Sequence, residues 1–355
     1  MQQLQPGILL QGGKYKIERV LGQGGFGITY LAEQVMLQRK VSIKEFFMKR
    51  FCTRDASGLV ETPSMADRSN VMLYRKKFIK EARNLARLCH TNIIEVMDIF
   101  VENETAYYVM PYLSGGSIQD YVKTHGPLTE DQAMECVRSI ASALKYMHEE
   151  EHICHFDVKP ANILFDDNRY VLIDFGISKN YDAYGQETSA TPIGLSQGYA
   201  PVEQYKMDLK EFSPTCDVYG LGATLYFLLH GKRPVSSVER AGGTPLYMRS
   251  SLSPYVKDII NSSMKISKTE RAQSVDVFWW EDEGSLPSQT KTNFLRILCL
   301  AVIEYSILVI YDKYIYPYID RLSLPSWIPN VCSWAIPVLL IAIILWLYMK
   351  FYKDL

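Results

Sequence analysis

The sequence predicts an α+β protein whose strands come first, whose helices follow, and whose C-terminal end contains one or two transmembrane helices. Residues 15–31 (YKIERVLGQGGFGITYL) have the pattern of two strands around a glycine-rich turn. Residues 216–229 (CDVYGLGATLYFLL) form an apolar run that is too short to span a bilayer and is typical of a buried helix. Residues 322–349 contain no Asp, Glu, Lys or Arg, which favours a membrane-spanning helix.

The composition narrows the class of protein. With 355 residues, 48% of them hydrophobic, the chain can bury a sizeable core in one large domain or two smaller ones. The net charge of -1 offers no argument for nucleic-acid binding. None of the seven cysteines forms a CxxC pair, so we expect buried thiols in a reducing compartment and no zinc or redox site. The N-terminus lacks a basic region followed by an apolar stretch, so we expect no signal peptide and a cytoplasmic location for the aqueous part.

The first glycine-rich turn has the spacing GxGxxG, formed by Gly22, Gly24 and Gly27. Dinucleotide-binding folds share this spacing, but there the glycines open a helix. Here ITYLAEQ follows, whose β-branched and aromatic residues favour a strand. A glycine hairpin can fold over phosphate groups because its backbone N–H groups are accessible and no Cβ intervenes. An ordinary hairpin turn fits the same residues.

The next two elements each carry one charged residue of interest. Lys44 lies inside the apolar strand VSIKEFF, where a lysine is either a solubilising residue of an edge strand or a phosphate ligand. The segment KFIKEARNLARL has the apolar spacing of an amphipathic helix. Glu81 on this helix could reach Lys44 if the helix packs on the sheet, although a solvated surface charge is the usual fate of a lone Glu.

The segments HFDVKPANILF and VLIDFG, within residues 155–176, carry the most specific pattern. They contain Asp157, Lys159, Asn162 and Asp174 at the spacing used for phosphoryl transfer from ATP. A hydroxyl nucleophile needs a carboxylate to orient it and accept its proton. The triphosphate needs Mg²⁺, which takes hard oxygen ligands such as Asp and Asn. A polar loop and turn without chemistry is the alternative interpretation.

Taken together, these motifs resemble the eukaryotic-like protein kinase family, over residues 15–278. The segments GGFGITYLA and GYAPVEQY are most similar to those of bacterial members. The resemblance implies a two-lobed fold in a domain of residues 15–280. Its small β-rich lobe would cover about residues 15–109, its hinge residues 110–114 and its larger helical lobe residues 115–280.

The same resemblance implies how ATP would bind. The glycines would cover the phosphates, and Lys44 would contact the α- and β-phosphates while Glu81 holds it. Met110 would stand in the gatekeeper position, with Pro111 and Leu113 offering backbone groups to adenine. The whole set implied for ATP is Leu21, Gly22, Gly24, Gly25, Gly27, Thr29, Ser42, Lys44, Glu81, Met110, Pro111 and Leu113.

For catalysis, the resemblance implies that Asp157 accepts or orients the proton of the substrate hydroxyl. Lys159 would neutralise charge on the γ-phosphoryl group, and it is the family's usual mark of Ser/Thr specificity. Asn162 and Asp174 would bind Mg²⁺ or Mn²⁺. The implied function is therefore an ATP-dependent kinase that acts on serine and threonine residues of protein substrates.

The segment that would bind the protein substrate follows at residues 177–199 and includes Ser196. By resemblance, Glu203 would form a buried ion pair with Arg271, and Asp217 would begin the central helix of the larger lobe. Small-molecule phosphotransferases generally lack this segment. Two alternatives stay open: a pseudokinase scaffold, and a kinase-like enzyme that acts on small molecules or lipids.

Three positions depart from the family's pattern. Phe156 replaces an arginine that usually pairs with a phosphate on the activation segment, so we expect weak dependence on phosphorylation of that segment. Thr29 and Ser42 replace the usual Val and Ala around adenine, and both are small enough for ATP to fit. Residues 50–69 lengthen the connection between Lys44 and Glu81, and their polar composition with Gly and Pro predicts a surface loop.

The C-terminal region predicts a linker at residues 281–291 and transmembrane helices at residues 292–318 and 327–349. Glu304 weakens the first of these, because a charge at the bilayer centre costs about 2.5–3.5 kcal/mol. An interfacial helix followed by a single span is the alternative. More Lys and Arg flank the two segments than lie between them, which places the catalytic domain on the cytoplasmic side of a bacterial cell membrane. The bilayer is thus an expected partner, and a homodimer is left open.

Overall fold

The computed structural model describes residues 2–166, 169–175, 179–180, 195–206 and 212–279. These belong to the first of two units into which the chain divides, Met1–Trp280. No helix within this described part of the chain is both long enough and apolar enough to cross a membrane. The predicted linker and both predicted transmembrane helices lie outside the described residues, as does most of the segment at 177–199.

The N-terminal lobe is built on a six-stranded antiparallel sheet. Its strands are β1 (Leu9–Leu10), β2 (Tyr15–Gln23), β3 (Gly27–Gln34), β4 (Arg39–Phe46), β7 (Asp98–Glu102) and β8 (Thr105–Pro111). Their order in the sheet is β1-β2-β3-β4-β8-β7. The glycine-rich turn connects β2 to β3, as the sequence predicts.

A single long helix, α1 (Met65–Leu85), packs against β8 and β7. The sequence predicts a helix only from residue 77, but α1 begins twelve residues earlier, directly after Pro63 and Ser64. Its apolar face contains Phe78, Ala82 and Leu85, all buried, whereas its first turns carry few apolar residues, so that the periodic pattern is weak there.

The expectation of a surface loop at residues 50–69 holds only in part: most of these residues are exposed, but the stretch contains regular secondary structure. This stretch contains a short antiparallel hairpin of β5 (Thr53–Arg54) and β6 (Val60–Glu61), and its last residues form the start of α1. Cys52 and Arg54 are buried within it. Few of its residues are apolar: Cys52 joins the core, Phe51 and Val60 pack against it, and the buried Arg54 supplies the polar attachment.

The larger lobe is helical. Helix α3 begins with a capping box between Thr129 and Gln132, which satisfies its first N–H groups. The helices and short strands here are α2 (Ile118–His125), α3 (Glu130–Glu149), β9 (Ile153–Cys154), β10 (Ile163–Asp166), β11 (Arg169–Leu172), β12 (Lys179–Asn180), α4 (Val202–Tyr205), α5 (Pro214–His230), α6 (Ser237–Ala241) and α7 (Pro254–Ser263).

Helix α5 is the centre of this lobe, and the prediction of a buried core helix is confirmed. Every residue after its first is buried. Its two glycines allow neighbouring backbone and side chains to approach closely. A Cβ on Gly222 would lie 2.1 Å from Ser263 Oγ, and one on Gly220 would lie 2.9 Å from the carbonyl oxygen of Val158. The second contact places α5 directly beneath the loop that follows β9.

Candidate active site

The loop between β9 and β10 is held from below by α5. The carboxylate of Asp217 accepts hydrogen bonds from the backbone N–H groups of His155, at 2.8 Å, and Phe156, at 2.6 Å. It also lies 2.8 Å from Nε2 of His148. Phe156 has φ of 64°, a left-handed conformation that is costly for a bulky residue. The two charge-assisted hydrogen bonds to a buried carboxylate offset that cost and fix the loop.

Asp157 lies in this loop, and both oxygens of its carboxylate accept hydrogen bonds from neighbouring side chains. Its Oδ2 accepts from Nζ of Lys159 at 2.6 Å and from Nδ2 of Asn162 at 3.1 Å. Its Oδ1 accepts from the hydroxyl of Ser196. Nζ of Lys159 donates to the same hydroxyl at 2.8 Å. A serine hydroxyl is thus held between a carboxylate and an ammonium group, which is the environment that an acceptor hydroxyl needs for phosphoryl transfer.

Asp174 and Asn162 provide the oxygen ligands that the sequence predicts for a divalent cation. The backbone N–H of Ile173 donates to the carbonyl of Asn162 at 2.9 Å, which joins the two segments. Because Nδ2 of Asn162 donates to Asp157, the amide oxygen is the atom with which it would ligate a cation. Lys44 lowers the pKa of Asp174 to about 2, so this carboxylate is ionised at neutral pH. The donor set therefore fits Mg²⁺ or Mn²⁺.

The ion pair of Lys44 differs from the expected one. Its Nζ contacts Oδ1 of Asp174 at 2.6 Å, and among the described residues it makes no ion pair with Glu81 within 4.0 Å. Burial opposes the charge of Lys44, but Asp174, Tyr108 and Glu81 outweigh it and hold the pKa of Lys44 well above its ordinary value. The expectation that Glu81 holds Lys44 is therefore wrong for this conformation, because the ammonium group of Lys44 pairs with the ionised carboxylate of Asp174 instead.

Glu81 is left without a hydrogen-bond partner for one of its oxygens. Its Oε1 is buried and accepts no hydrogen bond within the described part of the chain. Burial raises the pKa of Glu81 to about 7, although Lys44 lowers it in part. A buried carboxyl group with such a pKa is half protonated near neutrality. Glu81 thus responds to Lys44 through space while making no ion pair with it.

The glycine-rich turn brings the predicted phosphate-binding residues together. Strand register places Gly22 opposite Thr29, and Thr29 opposite Lys44. The N–H of Gly24 donates to the carbonyl of Gly27 at 2.9 Å and closes the turn. A Cβ on Gly27 would lie 2.7 Å from a backbone oxygen of β4, so glycine is required there. The other residues predicted for this part of the site, Leu21 and Gly25, lie in the same hairpin.

The predicted adenine-binding residues lie at the end of β8. Ser42 on β4 is buried and pairs with Met110 on β8. Pro111 ends that strand, and Leu113 follows it and is also buried. The predicted hinge, residues 110–114, covers the last two residues of β8 and the first three of the connection to α2.

The predicted ion pair between Glu203 and Arg271 is confirmed. Arg271 donates to the two carboxylate oxygens at 2.6 and 3.2 Å, and both side chains are buried. Arg271 also donates to the carbonyl of Thr215 at 3.0 Å, one residue into α5. The pair therefore joins the residues after the substrate segment to the central helix.

Phe156 lies in a small apolar cluster of its own. Its ring is 5.5 Å from that of Phe212, and Leu195 packs against the cluster. Two buried thiols complete it, those of Cys154 and Cys216. Sequence reasoning did not find Phe212, because an aromatic residue just before a helix is an unspecific signal. Gly176 and the hydroxyl residues Thr188, Ser189 and Thr191 lie outside the described residues.

Comparison with known proteins agrees with this geometry. Residues 15–279 match the family described as "Protein kinase domain". The chain is similar to the serine/threonine-protein kinase PrkC of Bacillus subtilis, with 32% identity over 62% of this chain and 31% of that protein. It is also similar to the serine/threonine-protein kinase PknB of Mycobacterium leprae, with 33% identity over 62% of this chain and 33% of that protein. This chain thus spans about a third of the length of these relatives.

A solved structure of another chain, described as "PpkA-294 apo form", shares the fold. It superposes with a TM-score of 0.67 at 26% identity, over 79% of this chain and 99% of that chain.

The carboxyl group of Glu81 predicts a pH-dependent stability. It has an ordinary pKa of 4.5 and a pKa of about 7 in the folded protein. Between these values the folded state binds a proton that the unfolded state has lost, so the contribution of Glu81 to stability is lost as the pH rises from about 4.5 to about 7. In Glu81→Gln, we expect the free energy of unfolding to fall less across this range than in the wild type, measured by urea unfolding without nucleotide.

The exposed Glu135 on α3 supplies the control. Glu135→Gln should keep the wild-type pH profile. Equal pH profiles for Glu81→Gln and the wild type would contradict the assignment.

Proposed function

The chain belongs to the protein kinase domain family, and we propose that it transfers the γ-phosphoryl group of ATP to serine and threonine hydroxyls of protein substrates. One observation carries this proposal above the others. The hydroxyl of Ser196 lies against Asp157 and Lys159 in the described site, so the site accommodates an alcohol where a substrate serine would react. The serine/threonine-protein kinases PrkC and PknB, named above, support the same reaction.

Each group has a separate part in this reaction. Asp157 orients the attacking hydroxyl and takes its proton. Lys159 carries a positive charge beside that hydroxyl, where negative charge grows on the transferred group. Mg²⁺ or Mn²⁺, when bound, would be held by Asn162 and Asp174 and would supply further positive charge to the phosphates. Catalysis then depends mainly on positioning and electrostatic stabilisation.

The residues on the substrate side of the site favour a protein substrate over a small molecule or a lipid. The buried pair of Glu203 and Arg271 fixes the residues after the substrate segment onto α5. Ser196 lies in that segment and binds the catalytic loop. In the described part of that segment, residues 195–199, the contact of Ser196 with Asp157 and Lys159 supports a peptide substrate that binds beside it. A pseudokinase scaffold is disfavoured because Lys44, Asp157, Asn162 and Asp174 are all present.

The first test is phosphoryl transfer itself. The full chain, incubated with γ-labelled ATP, Mg²⁺ and a generic protein substrate, should label serine and threonine residues. Asp157→Asn should lower the rate by at least about 100-fold, because the carboxylate that takes the proton is lost. Asp131→Asn, at an exposed position on α3, is the control and should keep the wild-type rate. A folded wild-type protein that binds ATP but labels no protein would contradict the proposal.

We also propose that activity depends little on phosphorylation of the activation segment. Phe156 and its apolar cluster stand where a guanidinium group would bind a phosphate in relatives that carry arginine there. An apolar cluster does not stabilise a dianion. The triple variant Thr188→Ala, Ser189→Ala and Thr191→Ala should therefore change kcat/KM by less than about threefold. Phosphatase-treated wild-type protein should behave in the same way, and a large rise on phosphorylation would overturn this prediction.

Finally, we propose that residues 292–318 and 327–349 anchor the catalytic domain to the cytoplasmic face of a bacterial cell membrane. The stretch at 322–349 contains no charged residue. Its apolar core, residues 331–349, is about 19 residues long, which is enough for a membrane-spanning helix. The distribution of Lys and Arg supports a hairpin with both ends in the cytoplasm.

Protease treatment of sealed inside-out vesicles, with a tag after Leu355, tests this topology. A hairpin predicts cleavage of the tag, and a single span predicts its protection. The chain shortened to residues 1–290 is the control and should be washed from the vesicles. Cross-linking in the same vesicles would show whether a homodimer forms. Full-length chain that washes off with the control would contradict the anchor.

A further inference from the structure

A fully buried carboxylate lies on β4 next to the nucleotide site, yet no step of the reaction uses it. Glu45 is 0% exposed. Its two oxygens accept from Nη2 of Arg54 at 2.6 and 2.7 Å, from the hydroxyl of Tyr30 at 2.7 Å and from the hydroxyl of Tyr107 at 2.9 Å. Because four hydrogen bonds from three neighbouring side chains converge on its two oxygens, the carboxylate is held in one position. A buried charge with this many partners is costly to break and specifies a single arrangement.

Arg54 belongs to the hairpin of residues 53–61 and ties it to the sheet. Besides Glu45, it donates to the carbonyl of Gln2 at 3.1 Å and to the carbonyl of Gly58 at 2.7 Å. The backbone N–H of Val60 donates to the carbonyl of Asn103 at 2.9 Å, on the turn between β7 and β8. The hairpin is thus fixed to the N-terminal segment, to the sheet and to its own turn.

The chain between β4 and this hairpin holds the glycine-rich turn. The N–H of Phe47 donates to the carbonyl of Phe26 at 3.0 Å, and the N–H of Lys49 donates to the carbonyl of Gly25 at 3.2 Å. The guanidinium group of Arg54 lies 5.5 Å from the ring centroid of Phe47. Two backbone hydrogen bonds therefore connect the tip of the glycine-rich turn to a segment that Arg54 anchors.

From these contacts we infer that residues 47–61 form a brace that sets the position of the glycine-rich turn, and that Arg54 is a positioning residue for ATP. The brace has two anchored ends: β4, which ends at Phe46, and the hairpin, which Arg54 fixes to Glu45. A turn rich in glycine has little conformational preference of its own. The brace restrains the turn through hydrogen bonds from a neighbouring segment. The N–H groups of the turn are therefore already oriented for the phosphates before ATP binds. This inference rests on the proposed binding of ATP at the turn.

The turn at Lys49 allows one substitution to remove a single hydrogen bond between the brace and the glycine-rich turn. Met48 accepts hydrogen bonds from the N–H groups of Phe51 and Cys52, which places Lys49 directly after the first residue of a tight turn. Proline suits that position, because its fixed φ matches the turn. Lys49→Pro therefore removes the N–H that binds Gly25 and leaves the pair of Glu45 and Arg54 intact. Lys49→Ala keeps the N–H and is the matched control.

We expect Lys49→Pro to raise KM for ATP by about three- to tenfold, the effect of one hydrogen bond, while Lys49→Ala leaves it unchanged. Arg54→Met should lower kcat/KM for ATP by about 10- to 100-fold, mainly through KM. Arg50→Met, an exposed arginine of the same segment, is its control. A purely structural role of Arg54 would reduce the folded fraction, which lowers the apparent kcat and leaves KM unchanged.

Hydrogen–deuterium exchange without nucleotide provides a readout that does not depend on catalysis. The amides of residues 22–27 and of Phe47 should exchange faster in Lys49→Pro than in Lys49→Ala. Unchanged exchange in these amides together with an unchanged KM would overturn the brace. If the wild type binds no ATP, the proposed function fails, and faster exchange would still support the brace as a structural element.

Discussion

The carboxylate of Asp217 is the group on which the active site depends. It lies fully buried on α5 and accepts the N–H groups of His155 and Phe156. Without it, the N–H groups of His155 and Phe156 would lose their buried acceptor, and the cost of the left-handed backbone at Phe156 would be offset less. Asp157 immediately follows this constrained residue. The direction of the Asp157 carboxylate, the proposed catalytic group, therefore depends on a residue that lies 61 positions beyond Phe156 in the chain.

That constraint also accounts for the role of the glycines in α5. The loop after β9 lies directly on the helix, with the carbonyl of Val158 above Gly220. A larger side chain would displace the loop, because interiors are packed too densely to absorb an extra methyl group without movement. Gly220 and Asp217 thus act together: one allows the loop to approach, and the other holds it in place.

The N-terminal lobe shows how two neighbouring residues of one strand reach different partners. Lys44 and Glu45 point to opposite faces of β4, as strand geometry requires. Lys44 faces the site and pairs with Asp174, whereas Glu45 faces the hairpin and pairs with Arg54. Glu81 competes for Lys44 but does not pair with it, and its pKa is raised.

The chemistry proposed for this protein follows from local spacing in the sequence. Asp157, Lys159 and Asn162 lie within one loop, and the apolar run of α5 is continuous. Short-range sequence pattern was therefore sufficient to indicate these site residues and to predict the buried helix. Only the tertiary structure determined the side-chain contacts between residues far apart in the sequence, which are Lys44 with Asp174 and Ser196 with Asp157. The hairpin of Arg54 was also missed, because its strands are two residues long and its main side-chain anchor is an ion pair with the distant Glu45, which leaves no periodic apolar pattern. Sequence spacing determines which groups are present, but which charges meet depends on competition among all the partners that the fold brings within reach.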